Sequence, residues 1–277
     1  MNNSFRKKIP TILGIFILTF GITSGVLILN AKQIFKLGAE EDTAPKNIKV
    51  SNITDSSFTI SFTTNQKSRS FIKVGEDSLF LGDTDIKRQE NRTGVHYFSI
   101  DGLSPATTYF ITINSDGINY LSDDPLSIKT GNKLSSDNIG KNLYGKVYSK
   151  SGEELKGAIV YVQCGNGSLL STQTSDDGSW SINVSKTRTS DLSEYLTIDK
   201  DNTLIQVMVQ YEQLTSFVST YANNIHPLPP IILGNNFDIR NTEQLPDKVQ
   251  IPTPYVFGAS TNSQQLPFVI QNIFKER

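Results

Sequence analysis

Phe58, Ile60 and Phe62 alternate with Thr59, Ser61 and Thr63, and this period of two limits what the chain can fold into. Side chains in a strand point alternately to opposite faces, so the run predicts one buried apolar face and one wet face. The same habit recurs. Ile48 and Val50 alternate, Phe71 to Val74 ends at Gly75, and Leu79–Leu81, His96–Ile100, Tyr109–Ile113 and Leu126–Thr130 follow at short spacing. Further on come Gly157 to Val162, Leu204 to Tyr211, Ser216 to Thr220 and Ile231 to Leu233, which ends at Gly234. Helical periodicity is nearly absent after residue 40, and Gly, Asn and Asp break the runs, so the expectation is all-β. Cys164 is the only cysteine. No internal disulfide is then possible, and any fold must be held by its cores; the stretch YVQC around Cys164 reads as packed interior.

Upstream lies a different pattern. Ile9 to Leu29 is an uncharged run of 21 residues, and a helix of that length, rising about 1.5 Å per residue, crosses a hydrocarbon core of about 30 Å. Residues 9–30 therefore read as a transmembrane helix, with the lipid bilayer as partner of residues 9–29. Arg6, Lys7 and Lys8 precede it, which places residues 1–8 in the cytoplasm and residues from about Lys32 onward, with the charged stalk of residues 31–44, outside the cell membrane. A cleaved signal peptide is the alternative, but its apolar core is shorter, and Leu29-Asn30-Ala31 and Leu37-Gly38-Ala39 put leucine where a small residue is wanted. Gly21 and Gly25 form a GxxxG pair of the kind that brings two helices together, though glycine is common in membrane helices anyway. Of 26 Lys+Arg and 27 Asp+Glu, residues 1–31 hold three bases and no acids, which leaves 23 against 27 outside, a balance of −4. That offers no basic field for nucleic acid.

Two stretches carry a family resemblance. Leu103, Pro105, Thr107 and Tyr109 form L-x-P-x-T-x-Y between the strands HYFSI and YFITI, and residues 45–130 resemble a fibronectin type III domain. The resemblance implies a seven-stranded sandwich in which the Tyr109 hydroxyl returns to nearby backbone at a corner; Phe62 stands where the family usually supplies tryptophan. The same strand-plus-corner wording is similar to the sandwich that precedes some metallophosphatase domains, yet the clustered Asp, Asn and His ligands of the catalytic part are lacking. Residues 131–141 read as a linker. Then Gly145-Lys146-Val147, Gly157-Ala158-Ile159-Val160-Tyr161-Val162 and Thr174-Ser175-Asp176-Asp177-Gly178-Ser179-Trp180 follow. Residues 142–234 resemble the carboxypeptidase regulatory-like and collagen-adhesin B-type sandwiches of bacterial surface proteins. Gly157 gives a tight start to a strand, Asp177-Gly178 reads as a hairpin turn with glycine at positive φ, and Trp180 points inward. The fold class expected is two tandem Greek-key, immunoglobulin-like β-sandwiches after one transmembrane helix. Residues 235–277, with prolines at 246, 252, 254 and 267, read as an extended or disordered tail whose one apolar knot is Leu266 to Ile270.

Chemistry-bearing residues are sparse. With one Cys and two His, His96 and His226, a zinc site or a Cys/His catalytic pair is not indicated, and His96 reads as a strand residue on the less buried face. Asp123, Asp124, Asp176 and Asp177 match no calcium loop. Lys146 or Lys156 with a late-strand Asn is the candidate pair for an internal isopeptide bond of the collagen-adhesin kind, without a matching motif. Sequons stand at Asn52, Asn91, Asn166 and Asn183. No catalytic residue, cofactor or metal is expected. The function expected is a non-catalytic, membrane-anchored cell-surface protein for adhesion, ligand binding or envelope assembly, with an extracellular protein or glycan as partner. Alternatives are an accessory substrate-binding subunit of an extracellular hydrolase, or a self-associating surface-fibre subunit.

Overall fold

A computed structural model describes residues 42–77, 86–134, 140, 142–224 and 227–240. The transmembrane expectation at 9–30, most of the stalk, the strand at Leu79–Leu81, His226 and the stretch 241–277 lie outside them. Among the described residues no helix is long and apolar enough to cross a membrane.

The described chain is all-β. Its first half runs β1 (Lys46–Ser51), β2 (Ser57–Ser68), β3 (Ser70–Gly75), β4 (Ile86–Arg88), β5 (Thr93–Asp101), β6 (Thr108–Ser115), β7 (Ile118–Tyr120) and β8 (Leu126–Lys129). One sheet has the order β1-β2-β5; the other has β4-β3-β6-β7, with β8 continuing along the same strand β6. Phe58, Ile60, Phe62 and Ile100 from the first sheet meet Ile72 and Ile111 from the second in one buried core, so the two sheets make a sandwich. The β6–β7 hairpin turns on Asp116 and Gly117, at φ 49° and 90°. Positive φ at both central residues matches the right-handed twist of the flanking strands, and Asp-Gly supplies it at low cost.

The second half runs β9 (Asn142–Tyr148), β10 (Ile159–Cys164), β11 (Leu170–Gln173), β12 (Ser179–Asn183), a 3-10 turn at Val184–Lys186, β13 (Leu204–Tyr211), β14 (Leu214–Tyr221), β15 (Ile231–Ile232) and β16 (Phe237–Asp238). A five-stranded sheet, β11-β10-β13-β14-β16, packs on a three-stranded one, β12-β9-β15. Val160, Val162 and Val207 from the first meet Val147, Trp180 and Ile231 from the second in its core. Cys164 belongs to that core, and burial pushes its thiol pKa up.

Three expectations about turns, strand faces and the end of the second sandwich need correction. Asp177-Gly178 does turn tightly, with Gly178 at φ +72°, but β11 and β12 on either side enter opposite sheets, so the turn closes no hairpin; β12 pairs with β9 instead. The second sandwich continues past Gly234: β16 pairs in parallel with β14, and Ile239 is fully buried in the core. The supposed wet face of β2 is also buried, since Thr59, Ser61 and Thr63 are all covered. What covers Ser61 is the other sandwich.

Candidate functional site

The outer face of β1-β2-β5 lies against the outer face of β11-β10-β13. Side chains on β10 alternate, so while Ala158, Val160 and Val162 enter the second core, Ile159 and Tyr161 point the other way. They form a third buried cluster with Val95 of β5, and Tyr97, Leu169 and Met208 pack against it. Four sheets are thus stacked, with a cluster between the two sandwiches as well as one within each. The described residues from Thr43 onward form one compact unit.

Polar groups set the register of this seam. Asn52, at φ +52°, donates its backbone N–H to Leu169 O at 2.8 Å. Its side-chain amide grips Ser171 on both sides, donating to Ser171 O at 3.0 Å and accepting from Ser171 N–H at 2.8 Å. A carboxamide that pairs with both backbone groups of one residue mimics a neighbouring strand, and here it closes the outer edge of β11. The Ser51 and Ser171 hydroxyls meet at 2.6 Å, those of Ser61 and Tyr161 at 2.8 Å, and Tyr97 Oη donates to Ser171 O at 3.1 Å. Burial pushes the Tyr161 phenol up to about 12, against the hydrogen bond from Ser61 that favours its ionised form. It stays protonated and keeps its hydrogen bond.

At one end of the seam Arg188, with a side chain 3% exposed, donates to Asp55 Oδ1 at 3.0 Å and to Asn132 O at 2.7 Å, and its guanidinium lies over Tyr195. A Cβ on Gly131 would stand 2.4 Å from Arg188 Nη1, so this glycine makes room for the guanidinium. Gly131 also donates its N–H to Thr54 O. The start of the expected 131–141 linker is therefore fixed in the seam. At the other end Gln213, in the β13–β14 turn, donates to Thr64 O at 3.2 Å. Asn52 heads a sequon, but its side-chain nitrogen also lies within hydrogen-bond distance of Thr59 Oγ1 and Tyr97 Oη; a glycan there is incompatible with the seam.

The sequence-derived residues are placed as follows. Tyr109 is buried; its hydroxyl accepts the Ser104 N–H at 2.8 Å and donates to Glu76 at 3.2 Å. Leu103 packs half-buried against the same core, whereas Pro105 is exposed and accepts from the Thr107 hydroxyl. Phe62 is fully buried and stacked on His96, with ring centroids 4.5 Å apart. Trp180 is buried against Gly145, where a Cβ would come within 3.3 Å of the indole nitrogen. Gly157 needs its φ of +76° and nothing else, since the space for a Cβ is open. At Gly178 a Cβ would meet Val147 O at 2.4 Å. Asp177 accepts from Ser175 and twice from Ser179. These bonds, with the Lys146 ammonium 3.2 Å away, hold its carboxyl well below the usual range.

His96 does not lie on a less buried face. Its partner across the ladder is Phe62, so it shares the inner face and is fully buried. Ser70 Oγ donates to Ser115 Oγ, Ser115 to Ser68, and Ser68 lies 3.2 Å from His96 Nε2, while Nδ1 faces Gln89 Oε1 at 2.7 Å. A hydroxyl aligned on an imidazole superficially has the form of a nucleophile with its base. Ser68 and His96 are both closed to solvent, and the chain of bonds satisfies polar groups in the core. Lys146 pairs with Glu154 and Asp177, and Lys156 pairs at the surface with Asp176, so both candidate isopeptide lysines meet carboxylates. Among the described residues, no group of three or more His, Cys, Asp or Glu is placed to hold a metal ion.

No protein-family profile matches the chain, and comparison with curated proteins finds no relative. Among solved structures it is similar to the central fibronectin-III array of RIM-binding protein, at 15% identity over 64% of this chain and 59% of that one, with a TM-score of 0.27. A two-domain fibronectin type III segment of chicken tenascin matches at 12% identity over 62% and 90%, TM-score 0.21. The sensor domain of the anti-sigma factor RsgI4 in Pseudobacteroides cellulosolvens matches at 17% over 34% and 98%, TM-score 0.26. Likenesses of this degree carry no argument about function.

Proposed function

We propose that the chain is a non-catalytic, membrane-anchored cell-surface protein whose two sandwiches, the first of fibronectin type III kind and the second of carboxypeptidase regulatory-like kind, act together as one rigid unit. They present loops to an extracellular protein or glycan, or to a partner in an envelope assembly. The observation that carries this reading is the seam. A buried apolar cluster flanked by the Asn52–Ser171 and Arg188–Asp55 contacts favours a fixed presenting platform over beads on a string, because relative motion would expose those groups without partners. The run 9–29 supplies the anchor and the bases before it the orientation. The Ser68–His96 alignment, sealed in a core, supplies no catalysis.

The reading is tested on the full chain in its own cells. Alkaline carbonate should leave the protein in the membrane pellet, and protease added outside intact cells should remove the β-rich part. Extraction by carbonate, or full protection from external protease, sinks the proposal. A hydrolase turnover lost on substituting a single exposed acid would remove the non-catalytic part of it.

A further inference from the structure

The first sandwich keeps one free face. Its β1-β2-β5 sheet is covered in the seam, so what it presents is the outer side of β4-β3-β6-β7, with β8 along β6. Ile72, Val74, Ile111 and Ile128 turn into the core, and alternation then puts Phe71, Lys73, Phe110, Thr112, Ser127 and Lys129 on the outer side. Arg88 stands opposite Phe71 in the ladder, with its guanidinium 5.3 Å from the centre of that ring, so it shares the face.

The register lines up four of these side chains. Lys73 is two residues beyond Phe71 and opposite Thr112; Phe110 lies two residues further in the same direction and opposite Ser127; Lys129 is again two residues further. Each step crosses one strand and advances two residues, about 8 Å from spacings of about 4.8 Å between strands and about 3.4 Å along them. Arg88, Lys73, Phe110 and Lys129 therefore fall on one diagonal about 25 Å long, in the order cation, cation, ring, cation. Arg88 and Lys129 are exposed, Lys73 and Phe110 half-buried. Strands β3, β4, β6, β7 and β8 contain no Asp or Glu. Among the described residues none of these three cations is paired with a carboxylate, whereas Arg92, Lys146, Lys156, Arg188 and Arg240 all are. Beyond residue 31 the chain has 27 acids against 23 bases, so an unpaired row of cations is a local exception.

We propose that this diagonal binds one extended strand of a carboxylated polysaccharide, with Arg88, Lys73 and Lys129 meeting its carboxylates and Phe110 taking the apolar face of one sugar ring. An open, straight row of charges suits a repeating linear anion, where a small molecule needs enclosure. With one ring in line it is a poor track for single-stranded nucleic acid, whose successive bases need successive stacking platforms. The inference rests on the reading of the chain as a cell-surface binding platform, and it gives that platform a ligand class and a strand face, in place of a loop, as the binding surface.

The test uses the full chain in phosphatidylcholine nanodiscs, with polygalacturonate as probe and binding followed by biolayer interferometry. The wild type should bind, should release the polymer as salt rises from about 50 mM to about 500 mM, and should ignore the fully methyl-esterified polymer, which keeps the sugar backbone and lacks the charges. Lys73→Gln, Arg88→Gln and Lys129→Gln should each weaken binding about threefold, and together about thirtyfold. Phe110→Leu, which keeps apolar volume and removes the flat ring, should weaken it several-fold and leave its salt dependence unchanged. Lys156→Gln and Lys200→Gln, in the second sandwich and off the line, should change nothing, and far-UV circular dichroism checks that each variant keeps its fold. Absence of binding by the wild type, equal binding of the methyl ester, or equal weakening by Lys156→Gln and Lys200→Gln overturns the proposal. So does tighter binding of an oligodeoxythymidylate, which would assign the row to nucleic acid. Membrane retention and external exposure are measured separately, so the cell-surface reading can fail or stand whatever this assay gives.

Discussion

His96 makes stability depend on acid within a defined window. Burial away from water disfavours the imidazolium and lowers its pKa from 6.5 to about 4, against the nearby Asp116 carboxylate, which favours the charged form. Asp116 is itself paired with Arg92, and the other groups around the ring are the hydroxyls of Thr64 and Ser68 and the Gln89 amide. The unfolded chain binds a proton at His96 below about pH 6.5, and the folded chain only below about pH 4. Its contribution is therefore complete above pH 6.5, declines as pH falls towards 4 and is constant below. The gap between 6.5 and about 4 corresponds to about 3 kcal/mol, or about 1 M in the urea midpoint of a domain of this size. Asp177, Asp191, Asp199 and Asp238 also have lowered pKa values. Their contributions are lost as pH falls below the ordinary carboxylate range, largely outside the window. Urea unfolding followed by far-UV circular dichroism from pH 7 to 4, on the wild type and His96→Gln, isolates the effect. The variant should be weaker at neutral pH, having lost the stack on Phe62, yet should lose much less on acidification. Parallel profiles, or a His96 imidazole resonance, assigned by its loss in His96→Gln, that titrates near 6.5 in the folded protein, would refute the reasoning.

Arg188→Met should cost about 3 kcal/mol, since it leaves Asp55 and the Asn132 carbonyl in the seam without their cation, and small-angle scattering should show the sandwiches moving apart. Tyr109→Phe, which removes the acceptor for the Ser104 N–H, should cost about 1–2 kcal/mol in the same urea assay. Gly178→Ala should cost about 2 kcal/mol or more, because positive φ and the Val147 carbonyl both oppose a Cβ; Gly157→Ala, opposed by φ alone, should cost about 1 kcal/mol.

The inward faces were legible because apolar side chains at period two have one explanation. Phe58, Ile60 and Phe62 could only be core. Their polar neighbours were not legible in the same way: Thr59, Ser61 and Thr63 look alike whether they face water or a second protein surface that satisfies their hydroxyls, and Tyr161 supplies such a partner to Ser61. The inner position of His96 is hidden for the same reason, since a titratable residue in a strand suggests solvent unless its partners, Ser68 and Gln89, are known to converge. Between β12 and β13 runs the stretch from Lys186 to Asp201. It holds Arg188, and only the fold reveals that Asp55 and Asn132 lie opposite. The strand pattern stops at Gly234 in the sequence because Phe237 and Ile239 are isolated apolar residues, too few to show a period.

The amide of Asn52 has a consequence for how such a protein can be assembled from parts. Tandem sandwiches are often treated as interchangeable cassettes, to be duplicated, swapped or expressed singly. Here the first cassette carries the side chain that completes the β-ladder of the second, and Ile159 and Tyr161 of the second line a wall of the first. Cut between them, the second would show an open strand edge beside an apolar face, the combination that invites pairing with other chains. The unit that can be moved intact into another protein is the pair.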